Sequence, residues 1–158
     1  MAHAHPGHEA GASFAAGALH PLTGFDHLLA LVAVGLLAAR MGGRARLVIP
    51  VAFLSSLLAG VALGFAGVQL DFVEPAIAAS IVVCGVLAWL PPRQLPVATA
   101  ALAALFAVFH GNAHGTEIAA SLDRAGYASG LALGSAFVIG VGAWLGTLPV
   151  RATISPGR

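Results

Sequence analysis

Six side chains with metal-binding chemistry lie in stretches of the sequence that are otherwise apolar. They belong to two segments, HPLTGFDH and HGNAHGTE, and are His20, Asp26, His27, His110, His114 and Glu117. An ionisable group in a hydrocarbon environment is costly, so its presence there indicates a function. Imidazoles with one or two carboxylates favour a borderline divalent ion such as Ni²⁺, Co²⁺, Zn²⁺ or Cu²⁺. The two segments therefore predict one shared metal site.

The spacing of the second segment places its three ligands on one face of a helix. His110, His114 and Glu117 follow one another at four and three residues, which is the helical repeat. This holds if the helix continues past Gly111 and Gly115, two glycines that leave room for a partner helix or an ion.

The geometry of the first segment depends on a proline that interrupts it. His20 and His27 are seven residues apart and would share a helical face if Pro21 left the register intact. Asp26 would point ~100° away from His27 on a regular helix. It either binds the ion or orients a histidine through a hydrogen bond.

The composition predicts that most of this chain lies in a membrane. Of its 158 residues, 59% are hydrophobic and 8% are charged, none is lysine, and the mean hydropathy is +0.94. A water-soluble domain of this size would carry far more charge. The net charge of +1 argues against nucleic-acid binding. The single cysteine, Cys84, excludes an intramolecular disulfide and a cysteine-rich metal centre.

Apolar runs between the charged residues are long enough to cross a bilayer, which takes ~20 helical residues. Four runs lack Asp, Glu and Arg: residues 47–70, 75–92, 94–116 and 125–150. In the earlier run of residues 10–39, Pro21 and Gly24 predict a break between a short outer helix near 10–19 and a span at about 21–39. The predicted fold class is an all-α polytopic membrane bundle with about five spans plus a short N-terminal outer helix, and six spans are the alternative.

The arginines predict the orientation of this bundle. They follow the first, third and fifth predicted spans, which places the N-terminus outside and the C-terminus inside. We expect a His-containing outer tail at residues 1–9, one transmembrane domain at 10–150 and a cytoplasmic tail at 151–158. The small-residue faces of the spans would also allow a homo-oligomer in the lipid bilayer.

This topology places the two segments at similar depths. At the helical rise per residue, His27 and His20 lie ~20 and ~30 Å from Arg40, and His110 and His114 lie ~25 and ~31 Å from the start of the fourth span. If the first and fourth spans are neighbours, both segments lie in the outer third of the membrane and can face one another.

A structural role is the alternative for any one of these residues. A lone membrane histidine more often donates a hydrogen bond between helices than binds a metal, but four histidines and two acids at matched depth favour the metal site. His3, His5 and His8 form a separate polar tail, whose composition is a weak signal for metal capture. Filler sequence explains that tail equally well.

The first ten residues, MAHAHPGHEA, lack the basic start and the apolar stretch of a secretory signal. An N-terminus outside the membrane would normally need one. We therefore expect that a signal peptide has been removed from this chain and that Met1 stands in its place.

Two longer segments resemble the signatures of a known family. HPLTGFDHLLALVAVG at residues 20–35 and FHGNAHGTE at residues 109–117 are similar, in the same order, to those of the HupE/UreJ family of bacterial nickel/cobalt permeases. The resemblance extends over essentially the whole chain. It implies a multi-pass inner-membrane permease with a periplasmic N-terminal tail. Such a protein is not an enzyme, and it takes up nickel or cobalt as a substrate without a prosthetic group.

The resulting hypothesis is that the ion arrives from the periplasm and exchanges water for the four histidines of the two segments. Asp26 and Glu117 would offset its charge or orient imidazoles. The ion would then move inward along the first and fourth spans. Polar residues are few in the inner half, and the candidates there are Ser55, Ser56, Ser80 and Thr99.

Two other functions stay open from the residues alone. His110 and His114 with another histidine and an acid could hold a catalytic Zn²⁺ in an intramembrane hydrolase, in which Glu117 would have to transfer protons. Paired histidines could instead ligate haem, but the neighbouring acids suit a divalent ion better.

Overall fold

The computed structural model describes residues 6–90, 95–118 and 123–148, with only the backbone described for residues 6–12. Within these ranges all regular secondary structure is helical, as the sequence predicts. The helices are α1 (Pro6–Thr23), α2 (Phe25–Met41), α3 (Ala45–Phe65), α4 (Val73–Trp89), α5 (Pro96–Glu117) and α6 (Arg124–Thr147).

Three of the described helices, α3, α5 and α6, are long and apolar enough to cross a membrane. The bent pair of α1 and α2 is a fourth candidate. Helix α4 is apolar but has 17 residues, which is the lower limit of the ~17–25 residues that a span needs. The count of five spans and the orientation of the bundle stay predictions.

The first apolar run is interrupted at Gly24 and not at Pro21. Gly24 is extended, with φ −100° and ψ 118°, and α1 and α2 are bent by 81° at this residue. Pro21 lies within the last turn of α1, where its missing N–H removes only one intrahelical hydrogen bond. The outer helix is therefore longer than residues 10–19, and the next helix begins at Phe25 instead of at residue 21.

Glycines allow α3 and α5 to lie backbone against backbone. A Cβ added at Gly60 would overlap a carbonyl oxygen of α5, and one added at Gly111 would overlap that of Leu57. One turn further on, Gly64 and Gly115 face each other. The glycines beside His110 and His114 thus accommodate α3 and not an ion. Contacts of this kind drive helix association in lipid, where the hydrophobic effect does not act.

Helix α6 packs on both arms of the bend in the same manner. A Cβ at Gly130 would overlap the Phe14 carbonyl oxygen of α1, and a Cβ at Gly142 would overlap that of Val32 on α2. Helix α2 also packs on α3 and α4, and it meets α5 only over a short stretch. The predicted neighbours, the first and fourth spans, therefore meet chiefly at the bend.

Asn112 attaches the loop after α3 to α5. Its Nδ2 donates to the Val68 carbonyl oxygen at 2.8 Å, and its Oδ1 accepts from the Leu70 N–H at 3.0 Å. The side chain is buried, and these two bonds pair both ends of its amide. Asn112 has a structural role beside the predicted site.

Candidate metal site

Four imidazole rings come together where the α1–α2 bend meets α5. His20 is near the end of α1, His27 is in the first turn of α2, and His110 and His114 are one turn apart on α5. Their ring centroids are separated by 4.5 Å (His20–His114), 4.6 Å (His27–His114), 5.2 Å (His27–His110) and 6.2 Å (His20–His27). The structure thus brings the histidines of the two segments into one histidine cluster.

The extended conformation of Gly24 brings the first two histidines together. On one continuous helix, residues seven apart would be separated by ~10 Å along the axis, whereas the bend brings both rings to the same side of α5. His20 and His27 therefore lie on either arm of a bend and do not share one helical face. A Cβ at Gly24 would lie 2.9 Å from His27 Nδ1 and 3.0 Å from Asp26 Oδ1, so a larger residue would disturb the cluster.

Two of the four rings contact polar side chains at the edge of the cluster. His27 Nδ1 lies 3.1 Å from Asp26 Oδ1, and His110 Nε2 lies 3.0 Å from Ser80 Oγ on α4. A hydrogen bond to one ring nitrogen fixes the tautomer and the orientation of an imidazole. Asp26 makes the contact through which it would orient His27.

Two buried ring nitrogens have no hydrogen-bond partner within the described part of the chain, His27 Nε2 and His114 Nδ1. Buried polar atoms are nearly always paired, and leaving one unpaired costs ~1–3 kcal/mol. The side chain of His114 is only 3% exposed. These two nitrogens are therefore available to a ligand that the protein does not itself provide.

Three of the four ring pairs contact edge to face, with interplanar angles of 88° for His20 and His114, 81° for His27 and His110 and 72° for His20 and His27. The rings of His27 and His114 are tilted by 44°. In this packing, and within the described residues, no three His, Cys, Asp or Glu side chains are arranged to hold one ion. Shared coordination would require the imidazoles to rotate about their side-chain torsions.

Glu117, the last residue of α5, is exposed and lines a cavity of about 300 Å³ together with Glu74 at the start of α4. Gln69, Asn112 and Thr116 contribute polar groups to the same cavity. The cavity lies between the loop that follows α3 and the end of α5, next to the turn that carries His114. Two carboxylates far apart in the sequence thus face one polar cavity.

The side chains of the N-terminal tail histidines lie outside the described part of the structure. His3 and His5 lie outside the described residues, and His8 lies in the part of α1 for which only the backbone is described. Their predicted role in metal capture stays a prediction.

The whole sequence decides the family. Residues 1–155 match the family model described as "HupE / UreJ protein". The chain belongs to the HupE/UreJ family. It is 36% identical over 144 residues to "Protein HupE" of Rhizobium leguminosarum bv. viciae, covering 90% of this chain and 75% of that protein. No solved structure matches the chain.

Membership of the HupE/UreJ family settles the class of function. The family is associated with nickel and cobalt uptake, and its members are transport or accessory proteins. This HupE/UreJ protein is therefore a multi-pass membrane protein and in general terms a metal permease, and it is not an enzyme. The intramembrane hydrolase that the histidines alone left open is wrong.

Two side chains beside the histidine cluster of this HupE/UreJ protein were not predicted to be there. Ser80 was a candidate for the inner half of the membrane, but its Oγ contacts His110. Tyr127 on α6 is buried, and its ring centroid lies 6.1 Å from that of His20. Neither residue is near the histidines in the sequence, and only the packing of α4 and α6 brings them there.

Proposed function

We propose that this protein is an inner-membrane permease that takes up Ni²⁺, with Co²⁺ as a second substrate, through the histidine cluster. The observation that carries the proposal is a pair of buried nitrogens without a hydrogen-bond partner among the described residues, His27 Nε2 and His114 Nδ1, on rings whose centroids are 4.6 Å apart. Imidazole nitrogens suit Ni²⁺, Co²⁺ and Zn²⁺. An ion between these rings would satisfy both atoms.

In the proposed bound state the four imidazole rings rotate out of their present contacts with one another. Each ring then directs one nitrogen to the ion. Asp26 remains on Nδ1 of His27 and leaves Nε2 of that ring for the ion. A divalent ion in a low-dielectric interior costs several kcal/mol per charge unless it is paired. The carboxylate of Asp26, hydrogen-bonded to a ligand, would supply part of the compensating charge.

The proposed outer pathway passes through the cavity of about 300 Å³ beside Glu74 and Glu117. In the predicted orientation, this end of α5 faces the periplasm. Two carboxylates in one cavity raise the local concentration of a hydrated cation. The ion would reach the cavity still hydrated and would exchange water for imidazole as it passes His114. His3, His5 and His8 would gather ions further out.

The proposed inner pathway is closed by an apolar core. Phe53 of α3 is buried, and its ring centroid lies 6.1 Å from that of His110. Since Gly60 lies against Gly111 and Gly64 against Gly115, α3 and α5 run parallel, and Phe53 precedes that contact by about two turns. It therefore lies on the side of the cluster toward the N-terminal ends of both helices. An ion moving inward would require this ring to move.

Uptake of ⁶³Ni²⁺ into proteoliposomes tests the proposal. We expect saturable uptake by the unmodified protein, competition by Co²⁺, and uptake at the level of protein-free vesicles for His114→Ala. Leu105→Ala is the matched control because Leu105 lies on the same helix and its side chain is exposed, whereas that of His114 is buried. Equal uptake by folded His114→Ala and unmodified protein would contradict the proposal.

Acidification should weaken Ni²⁺ binding. Only the neutral imidazole is a ligand, so protons compete with the ion for the same nitrogens. The loss should grow as the pH is lowered from about 8 to about 4 and more of the imidazoles become protonated. Equilibrium dialysis of the purified protein at a series of pH values measures it. An affinity that stays constant over this interval would argue against histidine ligation.

A further inference from the structure

Ser80 makes two hydrogen-bond contacts through one oxygen atom, and the first contact indicates which partner donates in the second. Its side chain, in the middle of α4, is buried. Its Oγ donates to the Ile77 carbonyl oxygen at 2.6 Å, and the same Oγ lies 3.0 Å from Nε2 of His110. The first is a common contact of a serine with its own helix. The second crosses from α4 to α5.

A hydroxyl group has one proton to donate. The contact with the Ile77 carbonyl oxygen is the shorter of the two and joins two oxygens, one of which can only accept, so we place the proton of Ser80 in that bond. Toward His110 the Ser80 oxygen can then only accept. Nε2 of His110 must therefore carry the hydrogen, and in a neutral ring Nδ1 must carry the lone pair.

We propose that Ser80 is a positioning residue that holds His110 in the Nε2-protonated tautomer and thereby presents Nδ1 of His110 to the ion. This inference rests on the proposed function of the histidine cluster. It gives α4, which supplies no ligand of its own, a part in the site. Asp26 favours the other tautomer at His27. Its carboxylate accepts a hydrogen bond from Nδ1–H of His27, so that Nε2 of His27 carries the lone pair.

The buried residues of α4 near Ser80 are otherwise apolar or weakly polar: Ile77, Cys84 and Ala88. Packing alone would be served equally well by alanine at position 80. The hydroxyl group of Ser80 is needed because its oxygen accepts a hydrogen bond from Nε2 of His110. Loss of a group that orients a ligand in this way typically lowers metal affinity by about 10–100-fold.

The tautomer can be read directly from the ¹⁵N spectrum of histidine-labelled protein without metal at pH 8, with the His110 signals assigned by their loss in His110→Gln. We expect a protonated Nε2 and an unprotonated Nδ1 at His110 in the unmodified protein, and a mixture of tautomers in Ser80→Ala. Ser129→Ala is the matched control, since Ser129 on α6 makes the same type of bond to its own helix, at Gly126, and is exposed. It should leave the His110 signals unchanged.

Equilibrium dialysis with Ni²⁺ completes the test. We expect Ser80→Ala to bind Ni²⁺ about 10–100-fold more weakly than unmodified protein, and Ser129→Ala to bind it equally well. A protonated Nδ1 at His110 in the unmodified protein, or an unchanged tautomer and affinity in Ser80→Ala, would overturn the inference. If the expected tautomer is found but the unmodified protein binds no Ni²⁺, the assignment of the tautomer is supported and the proposed function is the part that fails.

Discussion

Replacement of His27 or of His110 by alanine should lower the affinity for Ni²⁺ by roughly 100-fold or more, since even the loss of a group that only orients a ligand costs about 10–100-fold. Each variant removes one imidazole from the four whose rings lie within 6.2 Å of a neighbour. Equilibrium dialysis of ⁶³Ni²⁺ against the detergent-purified protein measures the effect.

The comparison is best made in a protein whose His3, His5 and His8 are all replaced by alanine, so that the tail contributes no binding. Leu105→Ala in the same background should bind Ni²⁺ as tightly as its parent, because Leu105 is exposed. If His27→Ala and His110→Ala are folded and retain the parent's affinity, the cluster is not the binding site. If only one of them loses affinity, the two segments do not share an ion.

Gly111→Ala should destabilise the bundle by ~1–3 kcal/mol or more, the usual cost of overpacking a core. The added Cβ would overlap the carbonyl oxygen of Leu57, and a backbone atom of a packed helix cannot move aside as a side chain can. Helix α5 would have to withdraw from α3. Because His110 and His114 flank this glycine, Ni²⁺ binding should fall as well.

Gly140→Ala provides the matched control for this prediction. Gly140 lies within α6, and no atom lies within 4 Å of the position that an added Cβ would occupy. The stability of the Gly140→Ala variant should therefore equal or slightly exceed that of the unmodified protein, since alanine is the better helix former. Thermal unfolding of both variants in the same detergent gives the comparison. Equal unfolding temperatures for the two would mean that α3 and α5 are not packed backbone to backbone.

The sequence predicts which histidines lie together better than it predicts how they are arranged. Charge placement and hydropathy are enough for an all-helical membrane bundle, because unpaired backbone groups are excluded from lipid. The spacing of His110 and His114 is enough to place them on one face of α5. The two segments are predicted to face one another because they lie at similar depths in the membrane. The structure brings their histidines into contact.

The bend was harder to place. Pro21 and Gly24 were both candidates for a break, and local sequence does not distinguish a proline tolerated in the last turn of a helix from one that ends it. The extended conformation of Gly24 places the break at this residue. As a result His20 and His27 meet across a bend and not along one helical face.

The contact between Ser80 and His110 lay beyond the reach of the sequence for a different reason. Helix α4 is apolar on nearly every side, so no polar face indicates its rotation about its own axis. Packing against α2 and α5 sets that rotation. The grouping of Glu74 with Glu117 around one cavity has the same origin, since it depends on how the start of α4 meets the end of α5.

X-ray absorption at the nickel edge shows which atoms surround the ion, and it is measured with one Ni²⁺ bound per protein in the variant that lacks the tail histidines. We expect the scattering of several imidazole rings around the ion, with fewer rings when His110 is replaced by alanine. A coordination shell of oxygen atoms alone, or a spectrum that is the same with and without His110, would contradict this expectation.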